Sequence, residues 1–225
     1  MTVRPRWLVV VFGTGTEVGK TFVSARVLET LRRRGFQVSA RKPVQSFEPG
    51  DGASDAEILA AATGEDHHVV CRPQRSLPRP MAPPMAAEAL GLPPFTISDL
   101  VDEIEWDEGL DLGLVETAGG VRSPMASDGD AVDLAEAIGP DEVLLVADAG
   151  LGVISAVRLC VDALAGFQTL VYLNRFVAGD DLCERNLEWL TGRCGFTVLT
   201  TITELADRWQ RALESLTTGR RNADG

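Results

Sequence analysis

The sequence predicts one α/β domain built on a mostly parallel central sheet flanked by helices. Three observations carry this expectation. Short apolar runs alternate with longer amphipathic stretches along the chain. Several of the runs are apolar at consecutive positions, as strands covered on both faces are. The chain has 225 residues, 45% of them apolar and 24% charged, which is enough for one sizeable core. The domain is expected to span 1–216, with 217–225 as a polar, flexible tail.

The elements follow in order. Trp7–Phe12 reads as the first strand. Lys20–Arg34 places Val23, Val27, Leu28 and Leu31 on one face at helical spacing, and Arg32–Arg34 favour its C-terminal dipole. Gly35 then ends the helix. Gln37–Val44 reads as a second strand, and Ser54-Asp55-Ala56-Glu57 as a capping box opening a helix to about Ala62. Leu112–Glu116, Glu142–Ala147, Thr169–Asn174 and Phe196–Thr200 supply further strands. Helices are expected over Ser98–Glu105, Ala131–Ile138, Ile154–Leu164, Asp181–Gly192 and Glu204–Leu216. Strand–helix alternation favours right-handed crossovers between parallel strands. Arg72–Pro94 holds seven prolines and reads as irregular, either a surface connection or a loop reaching over a site.

Composition narrows the partners. The net charge is −12, which disfavours nucleic acid and anionic membranes, so any phosphate must be met by a local, pre-arranged site. No run is long enough to span a membrane, and Trp7–Phe12 is too short for the core of a signal peptide. Cys71, Cys160, Cys183 and Cys194 form no C-x-x-C pair, which suggests reduced thiols in a cytoplasmic protein. His67, His68 and the four tryptophans read as surface and packing residues respectively.

The chemistry begins at Gly13–Thr21, GTGTEVGKT, between the first strand and the first helix. Glycines let backbone N–H groups converge on an anion. Lys20 neutralises phosphate, the Thr21 hydroxyl reaches Mg²⁺, and the helix offers its positive end. The loop is one residue longer than G-x-x-x-x-G-K-[ST], because its first glycine is Gly13. Lys42 and Ser46 follow the second strand, where open α/β sheets bind ligands. Glu116 ends a buried strand before Thr117-Ala118-Gly119-Gly120, a costly place for an acid unless a cation meets it. Thr21, Asp55 and Glu116 make an oxygen set suited to Mg²⁺. Asn174 ends another strand, where an amide can read a base edge or simply serve a turn.

Together these segments resemble the dethiobiotin synthetase family of P-loop NTPases. The resemblance rests on 13–21, KPVQS at 42–46, SDA at 54–56, VETAGG at 115–120, DAGLGVIS at 148–155 and Asn174, and it covers roughly residues 7–200. It implies an ATP-dependent cyclo-ligase of biotin biosynthesis, turning 7,8-diaminononanoate and CO₂ into dethiobiotin. It implies that Glu17, Val18, Gly19, Lys20, Thr21 and Phe22 line the triphosphate, and that Thr21, Asp55 and Glu116 hold Mg²⁺. Lys42, with Lys20, would be catalytic, and Thr16 and Ser46 would contact the diamine. Glu116, Thr117, Ala118 and Gly119 would border the nucleotide, with Asn174, Arg175, Ile202, Thr203 and Glu204 toward the base. A cytoplasmic homodimer is implied, with no nucleic-acid or membrane partner. The sequence departs from the family at Phe47, Thr117, Ser155-Ala156, Arg175 and Thr203. Two other readings stand beside it: a related ligase acting on another amine, and a nucleotide-switched partner protein of the ParA and MinD kind.

Overall fold

The computed structural model describes residues 3–223, with side chains as far as Leu216. The elements are β1 (Trp7–Gly13), α1 (Lys20–Arg33), β2 (Val38–Arg41), β3 (Gln45–Ser46), α2 (Asp55–Thr63) and α3 (His67–Val70). Then come β4 (Ser76–Leu77), α4 (Pro83–Ala89), α5 (Ile97–Asp102), β5 (Leu112–Glu116), α6 (Ala131–Ile138) and β6 (Glu142–Asp148). The chain continues through α7 (Val153–Ala163), β7 (Thr169–Asn174), α8 (Asp181–Glu188), β8 (Val198–Leu199) and α9 (Ile202–Ala223).

Six strands form one sheet in the order β2-β5-β1-β6-β7-β8, and every pairing is parallel. Alternation along β1 explains the layers. Leu8, Val10 and Phe12 pack in the core that includes α5, α6 and α7 residues such as Leu100, Leu134 and Val157. Val9 and Val11 face the core of α1, α2 and α9, with Leu28, Leu59 and Trp209. Strand β1 lies between β5 and β6, so the chain builds β2 and β5 on one side of it and β6, β7 and β8 on the other. Its carboxyl end is the switch point where such sheets bind ligands.

Three expectations change. The run Gln37–Val44 is not one strand. It ends at Arg41, because the Lys42 N–H turns to Val70 O at 2.7 Å and Pro43 has no N–H to offer a ladder. The proline-rich stretch is only partly irregular. β4 pairs in parallel with β3 in a second, two-stranded sheet, and α4 buries Pro83, Ala86 and Ala87. Proline is tolerated there because Pro83 and Pro84 occupy the first turn of α4, where N–H groups lack partners anyway. Trp189 is half exposed instead of packed. Helix α9 continues to Ala223, and the expected tail, 217–225, lies outside the residues whose side chains are described. The four cysteines are free thiols. No described helix is long and apolar enough to cross a membrane.

Candidate active site

The loop after β1 is shaped by close approaches. A Cβ on Gly13 would lie 2.7 Å from Gly15 O and 2.8 Å from Val18 Cγ2. Gly19 has φ +91°, and a Cβ there would lie 2.1 Å from Asn174 Nδ2. Only glycine satisfies both positions, which accounts for the extended loop starting at Gly13. None of the N–H groups of residues 15–20 finds a protein acceptor among the described residues. They form a ready anion cradle at the N-terminus of α1.

Lys20 folds back over this loop. Its Nζ donates to Gly119 O at 2.8 Å and Gly15 O at 3.3 Å. Burial, and then the neighbouring Lys42 charge, lower its pKa to about 8, against the pull of Glu116 and Asp55. The site disfavours the charged form, so an arriving anion raises this pKa and the neutral amine fraction takes up a proton.

Beside it lies a network of buried charge. The Lys42 ammonium sits 2.8 Å from Asp55 Oδ2 and 2.8 Å from Glu116 Oε1, and donates to Thr117 O at 3.2 Å. Burial opposes its charge, but Glu116 and Asp55 outweigh that and raise its pKa above the ordinary lysine value. Lys42 in turn is the main cause of the lowered Asp55 pKa, against desolvation. The Thr21 hydroxyl lies between the two acids, 2.7 Å from Asp55 Oδ1 and 2.8 Å from Glu116 Oε1. Ser24 Oγ donates to Glu116 Oε2 at 2.8 Å. Local structure delivers each group: Lys42 at the bend after β2, Asp55 in the capping box of α2, Glu116 at the end of β5.

A cavity of about 540 Å³ opens over these groups. Thr16, Glu17, Gly19, Lys20 and Thr21 line one part, and Lys42, Gln45, Ser46 and Asp55 another. Ala118, Gly119 and Arg175 complete it. The Thr21 hydroxyl and the two carboxylates are hard oxygen donors, and the carboxylates already hold one cationic head, so the set could hold a hydrated Mg²⁺.

Residues 8–174 match the AAA domain family. Among curated proteins, the ATP-dependent dethiobiotin synthetase of Corynebacterium kroppenstedtii is 32% identical over 91% of this chain and 89% of its own. The enzyme of the same name from Caulobacter sp. is 41% identical over 68% of both chains. This chain belongs to the ATP-dependent dethiobiotin synthetase family. A solved signal recognition particle receptor FtsY from Elizabethkingia anophelis, in complex with GDP, is 15% identical and covers 93% of this chain and 65% of that one. Its TM-score of 0.51 speaks to the shared fold alone.

With the family in hand, the residues drawn from the dethiobiotin synthetase resemblance sort into two groups. Thr16, Glu17, Gly19, Lys20, Thr21, Lys42, Ser46, Asp55, Ala118, Gly119 and Arg175 share the cavity, and Glu116 lies directly beneath through Lys42 and Thr21. Thr117 is buried there, its hydroxyl bonded to Val11 O at 3.0 Å. Val18 packs inward, and Phe22 is exposed on α1. Asn174 is buried, and its Nδ2 donates to Val18 O at 3.0 Å. Ile202, Thr203 and Glu204 lie at the start of α9, where Glu204 accepts from Thr201 N at 3.1 Å; they do not line this cavity.

Sequence reasoning missed two contributors. Ser24 is a polar residue on the buried face of α1, one turn after Lys20, and that misplaced polarity was its signal. Gln45 is buried at the cavity wall. Its Oε1 accepts from Ala56 N at 3.0 Å and its Nε2 donates to Ser76 Oγ at 2.8 Å, tying the turn after Lys42 to the helix of Asp55. His67 and His68 are exposed on α3, as expected.

Proposed function

We propose that this chain carries out ATP- and Mg²⁺-dependent carboxylation and ring closure of 7,8-diaminononanoate, forming dethiobiotin in biotin biosynthesis. One observation carries the reading. Lys42 is a buried ammonium clasped by two carboxylates, in the same cavity as a phosphate loop and a second lysine. That arrangement suits phosphoryl transfer, which needs positioning and charge neutralisation more than a strong base.

The loop N–H groups and Lys20 hold the triphosphate, with Glu17, Gly19 and Thr21 around it; Val18 and Phe22, which the resemblance adds, have side chains outside the cavity. Thr21, Asp55 and Glu116 would hold Mg²⁺, which when bound neutralises phosphate charge. Asn174 and the turn at Ile202, Thr203 and Glu204 border the base. Thr16 and Ser46 orient the diamine. One amine takes up CO₂ as a carbamate and gives up a proton. A carbamate oxygen attacks the γ-phosphorus and ADP leaves, giving a carbamic–phosphoric anhydride. The second amine attacks the carbonyl carbon, phosphate departs, and the cyclic urea closes. Lys42 meets the negative charge that builds on the transferred oxygens, where a preorganised donor acts most strongly. The family reading extends to a cytoplasmic homodimer, a setting that suits four free thiols.

The test is ADP release with Mg²⁺-ATP and bicarbonate, with and without 7,8-diaminononanoate, while product mass is followed. Diamine-dependent ADP release with a cyclic-urea mass is the expected result. Nucleotide binding with no diamine-dependent turnover would move the substrate to another amine.

A further inference from the structure

Among the described residues, two that are not glycine have left-handed backbone, Glu17 at φ 59° and Arg175 at φ 58°. They are 158 positions apart, and they touch: Arg175 Nη2 donates to Glu17 O at 2.9 Å. The other arm of the guanidinium, Nη1, pairs with Asp148 at the end of β6. Asp148 is the last residue of β6, which anchors the pair to the sheet, and its Oδ1 also accepts from Gly150 N at 3.0 Å in the turn that follows. Next door, Asn174 Nδ2 holds Val18 O at 3.0 Å. Two consecutive loop carbonyls are therefore pinned by two consecutive residues at the end of β7.

Peptide geometry gives this a consequence. In a trans peptide, C=O and the following N–H point in opposite directions. Pinning Glu17 O and Val18 O aims the Val18 and Gly19 N–H groups away from β7, and neither has a protein acceptor among the described residues. A non-glycine residue in left-handed backbone persists only where its surroundings hold it.

We propose that the Asp148–Arg175 pair is a positioning device for the phosphate loop, acting through the Glu17 carbonyl on polyphosphate affinity and not by reading the nucleobase. This rests on the reading of the cavity as a polyphosphate site, which wild-type binding tests separately. The sequence resemblance assigned Arg175 to the base; the geometry points it at the loop.

Asp148→Ala is the decisive variant. It removes an anion near a site for a polyanion, so charge alone predicts tighter binding. A positioning role predicts weaker binding, because Arg175 loses the anchor that holds it on the loop. Calorimetry with inorganic tripolyphosphate, ATP, GTP and CTP would compare wild type, Asp148→Ala, Arg175→Ala and Arg175→Lys. The expected result is a loss of about tenfold for Asp148→Ala and Arg175→Ala, equal across all four ligands. Arg175→Lys should recover only part, since an ammonium lacks the planar fork that spans both partners. In turnover, KM for ATP should rise more than kcat falls. Tighter binding by Asp148→Ala, altered base preference with tripolyphosphate affinity unchanged, or no change at all would each overturn the proposal. If wild type binds neither tripolyphosphate nor ATP, the polyphosphate reading itself fails.

Discussion

Two buried glutamates sit at opposite ends of the strands, on either side of β1. Glu142 opens β6. Its Oε1 accepts from Trp209 Nε1 at 2.8 Å, and its Oε2 from Arg208 Nη2 at 2.6 Å. Both donors come from α9, and Trp209 is fully buried. Glu116 closes β5. Its donors come from separate elements: Thr21 and Ser24 on α1, and Lys42 after β2. Two of those donors line the cavity. Burial and hydrogen-bond satisfaction are alike in the two acids, so neither property marks a site. The difference is where the donors come from. An acid saturated by one helix fastens that helix. An acid at the carboxyl end of the strands, shared between a helix and the bend after a neighbouring strand, with donors that open on a cavity, is available for chemistry.

Substitutions sharpen this contrast, the largest effect first. Glu142→Ala should cost about 3 kcal/mol of stability, near the low end for a broken buried pair because Arg208 is a third exposed. Thermal or urea unfolding measures it, while turnover per folded molecule at 20 °C stays within twofold of wild type. A large loss of turnover without a loss of stability would break the comparison. Lys42→Ala also costs stability, since it leaves Glu116 buried without its cation, but per folded molecule it should lower kcat roughly 10²-fold or more while ATP still binds, as read by steady-state kinetics beside ATP titration. A loss under about threefold would remove Lys42 from the chemistry.

Next comes pH. Lys20 has a pKa lowered to about 8, and a polyphosphate favours its ammonium. Binding therefore takes up a proton above pH 8. ATP affinity should be full below that pH and fall about tenfold per unit above it, with calorimetric proton uptake over the same window. A flat affinity from pH 7 to 9.5 would contradict the assignment. Ser24→Ala should give the smallest effect, a roughly three- to tenfold loss of kcat from one missing hydrogen bond to Glu116. Activity equal to wild type would make Ser24 a packing residue.

Much of this was legible in the sequence for a physical reason. Consecutive apolar residues in Trp7–Phe12, Glu142–Ala147 and Thr169–Asn174 have few folds open to them beyond a doubly covered sheet, and each forms a strand. Glycine and lysine spacing located the phosphate loop. Less legible was everything depending on contacts between distant segments. Seven prolines in Arg72–Pro94 hid α4 and β4, whose formation depends on packing against Gln45 and Ser46. Asn174 and Arg175 announced polar chemistry at the end of β7, but nothing local told that both would turn toward Glu17 and Val18. Gln45 looked like a spacer between Lys42 and Ser46, since its partners Ala56 and Ser76 lie well along the chain.

The two-stranded sheet of β3 and β4 gives the cavity a wall whose strands pair apart from the main sheet. Lys20, Thr21 and Glu116 ride on the six-stranded sheet and its first helix. Gln45 and Ser46 ride on a separate panel, backed by Ser76, Leu77 and α4. The panel is not free-standing, because Leu77 shares the core of β1 and Gln45 holds the Ala56 N–H beside Asp55. A changed residue in that backing is therefore felt on both sides of the cavity, and the two halves of the machine must be tuned together.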